Sequence, residues 1–426
     1  MEFGIFIELQ LPRPWQDGCE LELFTNALTW VDIADPIGVG YVWAQEHHFL
    51  EEYSHSTAPE VFLGACAGRT KNIRLGHAIV PMPPAINHPA RVAERLATLD
   101  LVSKGRVEWG TGETSSRLEL EGFQVNYVNK RAMWAEATRE CAKMMCSEPY
   151  GGYEGKYFSM PPRNIVPKPV QKPHPRPWVA CTNRDTLKLA ARLGLGALTF
   201  AFIDAKEARF WVNEYYETFK RECTPLCRVV NPNVAMLGGL MCHRDPTVAR
   251  ARGVEGQQFF AYGLAHYYRF GRHVPGRTSI WNEFKAAHSF PMAGLAGIGT
   301  PKEITRQFED LENAGLDQLI LLQQGGKYQH EHICESLELF GREVIEGFRE
   351  REAKRQAAKA EELAPYIDHA MKQMPLLESM KEVPVIESYQ VLWDQSGADT
   401  ESKTARRALD ASRLWKLYVG GGKPPR

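Results

Sequence analysis

Short apolar runs alternate with amphipathic stretches from the first residues of the chain to about residue 350. Residues 3–8 predict a strand. Residues 20–34 predict a helix, because Leu21, Phe24, Leu28 and Val31 recur on one side. The next strand, at 41–45, is entered through the Gly38/Gly40 turn, and the rhythm then repeats: helix 59–68, strand 73–80, helix 89–102, strand 107–110, helix 131–146. Further strands are expected at 178–181, 196–200, 229–241 and 319–322. Between and after them come helices at 185–193, around Phe210 to Phe219, at 247–268, after the Thr300/Pro301 cap, and at 331–348. Eight short apolar strands, each followed by a helical period, predict an α/β fold of the TIM (β/α)8 type with its active site at the C-terminal ends of the strands.

Two stretches break the pattern. Prolines at 161, 162, 167, 169, 173, 175 and 177 exclude a helix or a central strand there, so 149–177 reads as an extended insertion. Residues 270–299, rich in Gly, Pro and Trp, read as a second insertion or lid near the mouth. The organisation expected is therefore a catalytic barrel over 1–350 and a helical and irregular extension over 351–426, in which Leu376, Leu377, Val391, Leu392 and Trp393 need a surface to bury against.

The formal net charge of −1 leaves no basic face for nucleic acid or an anionic membrane. A small or neutral ligand fits better. The nine cysteines lack the spacing of a closed zinc site and read as ordinary reduced thiols. The chain opens without a signal-peptide pattern and no later run approaches ~18 apolar residues, so a soluble cytoplasmic protein is expected. The chemistry-bearing word is Glu46-His47-His48-Phe49 at the end of the second strand. A buried parallel strand tolerates two imidazoles poorly unless its end opens on a pocket. No third ligand at a persuasive spacing turns this into a metal site.

With GIFIE at the first strand, EHHF after the second, HPARVAERLATLDLVSKGR between the third and fourth, PKPVQKPHPRPWVA before the fifth, and IGTPKEITRQFEDLENAGLDQLILL with SLELFGREVI at the end, residues 1–350 resemble the bacterial luciferase-like flavin-dependent monooxygenases. The resemblance implies reduced FMN supplied by a separate flavin reductase, O2 as co-substrate, and a flavin hydroperoxide that oxygenates a small hydrophobic aldehyde, ketone or similar compound. It assigns acid/base work to His47, with His48 and Glu46 beside it; an imidazole of ordinary pKa, ~6.5, exchanges protons at cellular pH. It places the flavin phosphate at Thr182, Asn183, Arg184 and Thr186, residues that simple helix capping would also explain. The ring wall falls at Trp109, Gly110 and Gly112, with His77 and Met82 as further candidates, although a packed core histidine explains His77 equally well.

Luciferase itself carries a reactive cysteine near the position of Gly112 and an arginine near that of Glu113, and this chain has neither. That departure argues against a light-producing enzyme. Two other classes stay open: an F420-dependent oxidoreductase on the same barrel, and a non-catalytic partner resembling the luciferase β subunit, against which EHHF speaks. Aromatic residues from Phe259 to Phe284 would line an apolar mouth or simply pack, and Arg272 and Arg277 would read a carboxylate or stay in solvent. Apolar faces on the helices within 59–101 predict a homodimer.

Overall fold

The computed structural model describes residues 1–287, 296–377, 380 and 382–386. Contacts divide the chain into Met1–Ser379 and Met380–Arg426. In the first unit, eight parallel strands close into a barrel: β1 (Glu2–Ile7), β2 (Tyr41–Ala44), β3 (Arg74–His77), β4 (Val107–Gly112), β5 (Arg176–Cys181), β6 (Gly196–Thr199), β7 (Val234–Gly239) and β8 (Gln318–Leu322). Pairing of β1 with β8 (Phe3 opposite Leu319) and of β3 with β4 (Leu75 opposite Val107) leaves no open edge.

The helices that follow the strands are α1 (Cys19–Ile37), α2 (Pro59–Arg69), α3 (Pro89–Val102), α4 (Arg117–Gly122), α5 (Lys130–Cys146), α6 (Arg184–Arg192), α7 (Ala205–Glu222), α8 (Pro246–Ala265), α9 (Ile280–Ala286), α10 (Pro301–Asn313), α11 (His330–Phe340) and α12 (Glu346–Lys372). No helix among the described residues is long and apolar enough to cross a membrane.

Alternation along the strands divides the core in two. Ile5, Ile7, Leu75, Val107 and Trp109 face the helices, while Phe6, Trp43, Trp178, Leu198, Ile320 and Leu322 fill the barrel. The barrel floor is polar, and its charges are paired. Glu108, fully buried, accepts from Trp178 Nε1 (2.7 Å) and from Arg74 and Arg176, and Trp43 Nε1 donates to Gln318 (2.8 Å).

Several boundaries differ from the sequence reading, for physical reasons. The strand expected at 73–80 ends at His77. After the Ala78–Ile79 step, Val80 and Pro81 pair separately with Thr111 and Gly112. The strand expected at 229–241 begins only at Val234, because Pro232 has no N–H to donate and Asn231 and Asn233 bond each other locally (2.5 Å). The closing helix ends at Phe340, widens over Gly341–Ile345, and resumes as α12, which runs unbroken across residue 350. Its Ala, Glu, Lys and Arg content favours helix, and Phe348, Leu363 and Ala370 are buried. Ion pairs of Glu352 with the N-terminus and of Lys359 with Asp317 (2.7 Å) tie α12 to the N-terminal side of the barrel. The apolar residues Val391, Leu392 and Trp393 lie outside the described residues.

The first insertion carries a small hairpin, Tyr153–Glu154 against Ser159–Met160. It is held to α5 by Glu136, which accepts from the Tyr157 N–H (2.9 Å), and by Lys168, which donates to the Met144 and Ser147 carbonyls (2.8 and 2.6 Å).

Candidate active site

The C-terminal mouth is built by the exits of β1 and β2 and by α4. Beyond β2 the chain turns so that the His47 N–H donates to the Ser56 carbonyl (2.9 Å), leaving the imidazole 12% exposed. Its Nδ1 lies 3.0 Å from Glu119 Oε1, and its Nε2 lies 3.8 Å from Glu8 Oε1. Glu119, from α4, also accepts the His48 N–H (2.9 Å) and the Thr114 hydroxyl. One carboxylate thus fixes the ring and the turn that carries it.

Burial alone would discharge His47, but Glu119, with Glu8 and Glu46 behind it, outweighs burial and raises the imidazole to about 9. Burial likewise works against the Glu119 anion, and the His47 charge with the bonds from His47, Thr114 and His48 prevails, holding that carboxyl below its usual range. Near neutral pH the pair is an imidazolium–carboxylate, not the half-protonated imidazole that an isolated histidine would present. Glu8 behaves in the opposite way. Fully buried at the end of β1, it is pushed up to about 7 by desolvation, which nearby His47 only partly offsets.

Glu46 serves the second histidine. Its Oε1 is 3.3 Å from His48 Nε2 and accepts from Asn87 Nδ2 (2.6 Å), whose own oxygen takes a bond from Arg95. Glu46 Oε2 is buried and has no hydrogen-bond partner among the described residues. Around these groups stand Phe6, Phe200, Phe202 and Phe260, with Tyr53 between Phe260 (5.6 Å) and His47 (5.7 Å).

The second insertion docks at this mouth as far as it is described; residues 288–295 lie outside. Glu52, fully buried, accepts the N–H groups of Ile280 and Trp281 (2.8 and 2.9 Å), and Glu51 accepts that of Gly276 (2.8 Å). Trp281 and Phe284 pack with Phe259 and Tyr262 in a cluster of their own, and Arg272 and Arg277 are exposed.

The other expected residues divide by face. The side chains of His77, Met82 and Trp109 lie in the layer between sheet and helices. The His77 ring has Glu60 and Arg95 as charged neighbours, and burial brings it down to about 4. Met82 belongs to the outer core, and Trp109 meets His174 edge-on at 5.9 Å. Gly110 and Gly112 do face the interior, but a Cβ on Gly110 would stand 1.8 Å from the His77 carbonyl oxygen, and one on Gly112 would stand 2.4 Å from Ile79 Cδ1. Their smallness is claimed by the neighbouring strand.

At the exit of β5 the expected phosphate residues form a reciprocal cap. Asn183 Oδ1 accepts the Thr186 N–H (3.0 Å), and the Thr186 hydroxyl takes the N–H groups of Thr182 and Asn183 (3.2 and 3.3 Å). Arg184 turns to Glu214 (2.7 Å). Sequence reasoning missed Glu8, Glu119 and Asn87. Only Glu8 carried a signal, a carboxylate closing an otherwise apolar strand.

A sequence model of the luciferase-like monooxygenases matches residues 1–318, and the chain belongs to that family, a group of flavin-dependent oxidoreductases. It is 30% identical over 207 residues to the uncharacterized protein y4vJ of Sinorhizobium fredii, a match covering 49% of this chain and little more than half, 57%, of that relative. It is 24% identical over 371 residues, 84% of this chain and 98% of the relative, to the oxygenase component of the flavin-dependent trigonelline monooxygenase of Acinetobacter baylyi.

Among solved structures the fold is similar to that of monooxygenase RslO1 from Streptomyces bottropensis (TM-score 0.68, 24% identity, 82% of this chain and 100% of that one). It is also similar to the oxygenating constituent of 3,6-diketocamphane monooxygenase from Pseudomonas putida in complex with FMN (0.64, 20%, 81% and 97%). An F420-dependent secondary alcohol dehydrogenase shares the fold as well (0.61, 18%, 81% and 98%). The fold thus hosts both FMN and F420.

Proposed function

We propose that the protein is the oxygenase of a two-component system, taking FMN reduced by a separate flavin reductase and using O2 to oxygenate a small hydrophobic organic molecule such as an aldehyde or ketone. The observation that carries this reading is the fixed His47–Glu119 pair beside Glu8 at the aromatic mouth. Family membership and the relative named as an oxygenase component support it. The residues fit a flavin: the mouth offers buried polar atoms without hydrogen-bond partners among the described residues, on Glu8 and Glu46, and a helix N-terminus at the exit of β5.

Bound reduced FMN would supply the electrons that activate oxygen. His47 and Glu119 would hold a fixed positive charge where negative charge develops on oxygen, and the ring of phenylalanines would exclude water. Anaerobic mixing with reduced FMN, followed by oxygen and a panel of apolar ketones and aldehydes, tests this. Oxygenated product supports the reading. Tight F420 binding with hydride transfer and no oxygen uptake replaces it.

The cap at α6 has its own test. Removing the Asn183 amide and the Thr186 hydroxyl together is expected to weaken FMN binding more than riboflavin binding, because only FMN carries the phosphate. Equal losses in calorimetric titrations would leave the cap a purely structural device.

We also propose a homodimer through α2 and α3, where Val61, Leu101 and Val102 are 70%, 44% and 56% exposed. Light scattering of the full chain and of a version ending after Lys372 checks it. A full-length monomer at micromolar concentration refutes the dimer, and an unchanged dimer in the shorter form removes the last residues from its interface.

A further inference from the structure

Among the described carboxylates at the mouth, Glu8 differs from Glu119 and Glu46. Glu119 is bonded to His47, the His48 N–H and Thr114, and Glu46 is bonded to Asn87. Neither Glu8 carboxyl oxygen has a hydrogen-bond partner among the described residues, and the group is fully buried. Buried carboxylates are ordinarily paired or hydrogen-bonded, because an unpaired buried charge is expensive. His47, Ser54 and Tyr53 relieve that cost only in part, and desolvation outweighs them. Ser54 Oγ donates to the backbone carbonyl of Glu8 itself (2.8 Å), and His47 Nε2, at 3.8 Å, is beyond hydrogen-bond reach.

We propose that Glu8, rather than His47, is the group that exchanges a proton at this mouth, with the His47–Glu119 pair acting as a fixed counter-charge. The inference rests on the proposed oxygenase reading for its role and on geometry for its assignment. His47 has one nitrogen committed to Glu119, so its charge is held; Glu8 is fully buried beside Tyr53 and Ser54, with no carboxylate–cation bond among the described residues shorter than the 3.8 Å to His47, the cation that would receive its negative charge. In the step, the Glu8 O–H bond breaks and the proton passes to a basic oxygen of the molecule in the mouth. The electron pair stays on the carboxylate beside the imidazolium, and a proton from water later restores the acid.

The groups facing Glu8 from other elements are His47 and Tyr53 on the loop after β2, Glu119 on α4, and Tyr268 on the turn after α8. Burial pushes both phenols well above their ordinary range, so they stay neutral. His47 is raised to about 9 and stays charged; Glu8, raised to about 7, is the one that changes state near neutrality.

Infrared difference titration of the full-length protein, with and without FMN, tests the assignment without any turnover. The expected result is a buried carboxylic acid band lost with a midpoint near 7 in the wild type and missing in Glu8→Gln. Over the same range, nuclear magnetic resonance should show the His47 ring still protonated. A wild-type protein in which no carboxyl titrates near neutral pH overturns the proposal with no variant needed, and so does persistence of the band in Glu8→Gln. With reduced FMN and O2, the limb of the pH–rate profile near 7 should vanish in Glu8→Gln, and an unchanged limb is equally fatal. If the wild type takes up no oxygen beyond the free-flavin rate, the oxygenase reading falls, while the infrared result still decides the assignment of Glu8.

Discussion

Replacing His47 by alanine is expected to lower turnover about 10²-fold or more while the barrel remains folded, the range seen when a positioned acid, base or charge is removed. The imidazole meets the barrel core only through the Tyr53 ring (5.7 Å) and lies on the loop beyond β2, so its loss leaves the strands intact. What it leaves behind is electrostatic: Glu119 loses the partner at 3.0 Å, and Glu8 loses the cation at 3.8 Å. Substrate oxygenation and peroxide release should be measured together, because a mouth without its cation is expected to waste reducing equivalents as peroxide. Wild-type turnover and coupling in the variant would remove His47 from the chemistry.

The same substitution has a signature in stability. The folded-state value of about 9 lies above the ordinary histidine value of ~6.5, so the contribution of His47 is fully present below the latter and is lost as pH rises through 9. Denaturant melts of the wild type should therefore weaken across that window. His47→Ala should flatten this part of the profile.

The barrel was legible because its signal is repetitive. The helix expected at 89–102 is α3, and the eight strands fall where short apolar runs were read. The site was harder to read where both faces of a strand are buried. In β4, Val107, Trp109 and Thr111 point to the helices and Glu108, Gly110 and Gly112 point inward, yet all six are buried, so the pattern of hydrophobicity does not say which set meets the mouth. The sequence therefore left open which side Trp109 and His77 face. Glu119 was illegible on different grounds. It lies 72 residues from His47 on a helix of six residues, and only barrel closure brings the two together.

Gly110→Ala is expected to cost about 3 kcal/mol or to abolish soluble expression, at the upper end of what overpacking produces. The added Cβ would stand 1.8 Å from the His77 carbonyl oxygen, which is backbone and has no rotamer to escape into, and 3.1 Å from Leu198 Cδ1. Relief would require β3 to move away from β4 next to the Leu75–Val107 and Gly76–Glu108 pairing that closes the barrel. This separates two meanings of one glycine. If Gly110 is small so that a flavin ring can approach, alanine should weaken FMN binding and leave the melting temperature of the unliganded protein unchanged. If it is small because the His77 carbonyl lies against it, the unliganded protein should melt lower, and whatever folds should bind FMN with affinity close to that of the wild type. The interatomic distance favours the second outcome. Thermal melts of the unliganded variant, followed by FMN titration of its folded fraction, decide between them.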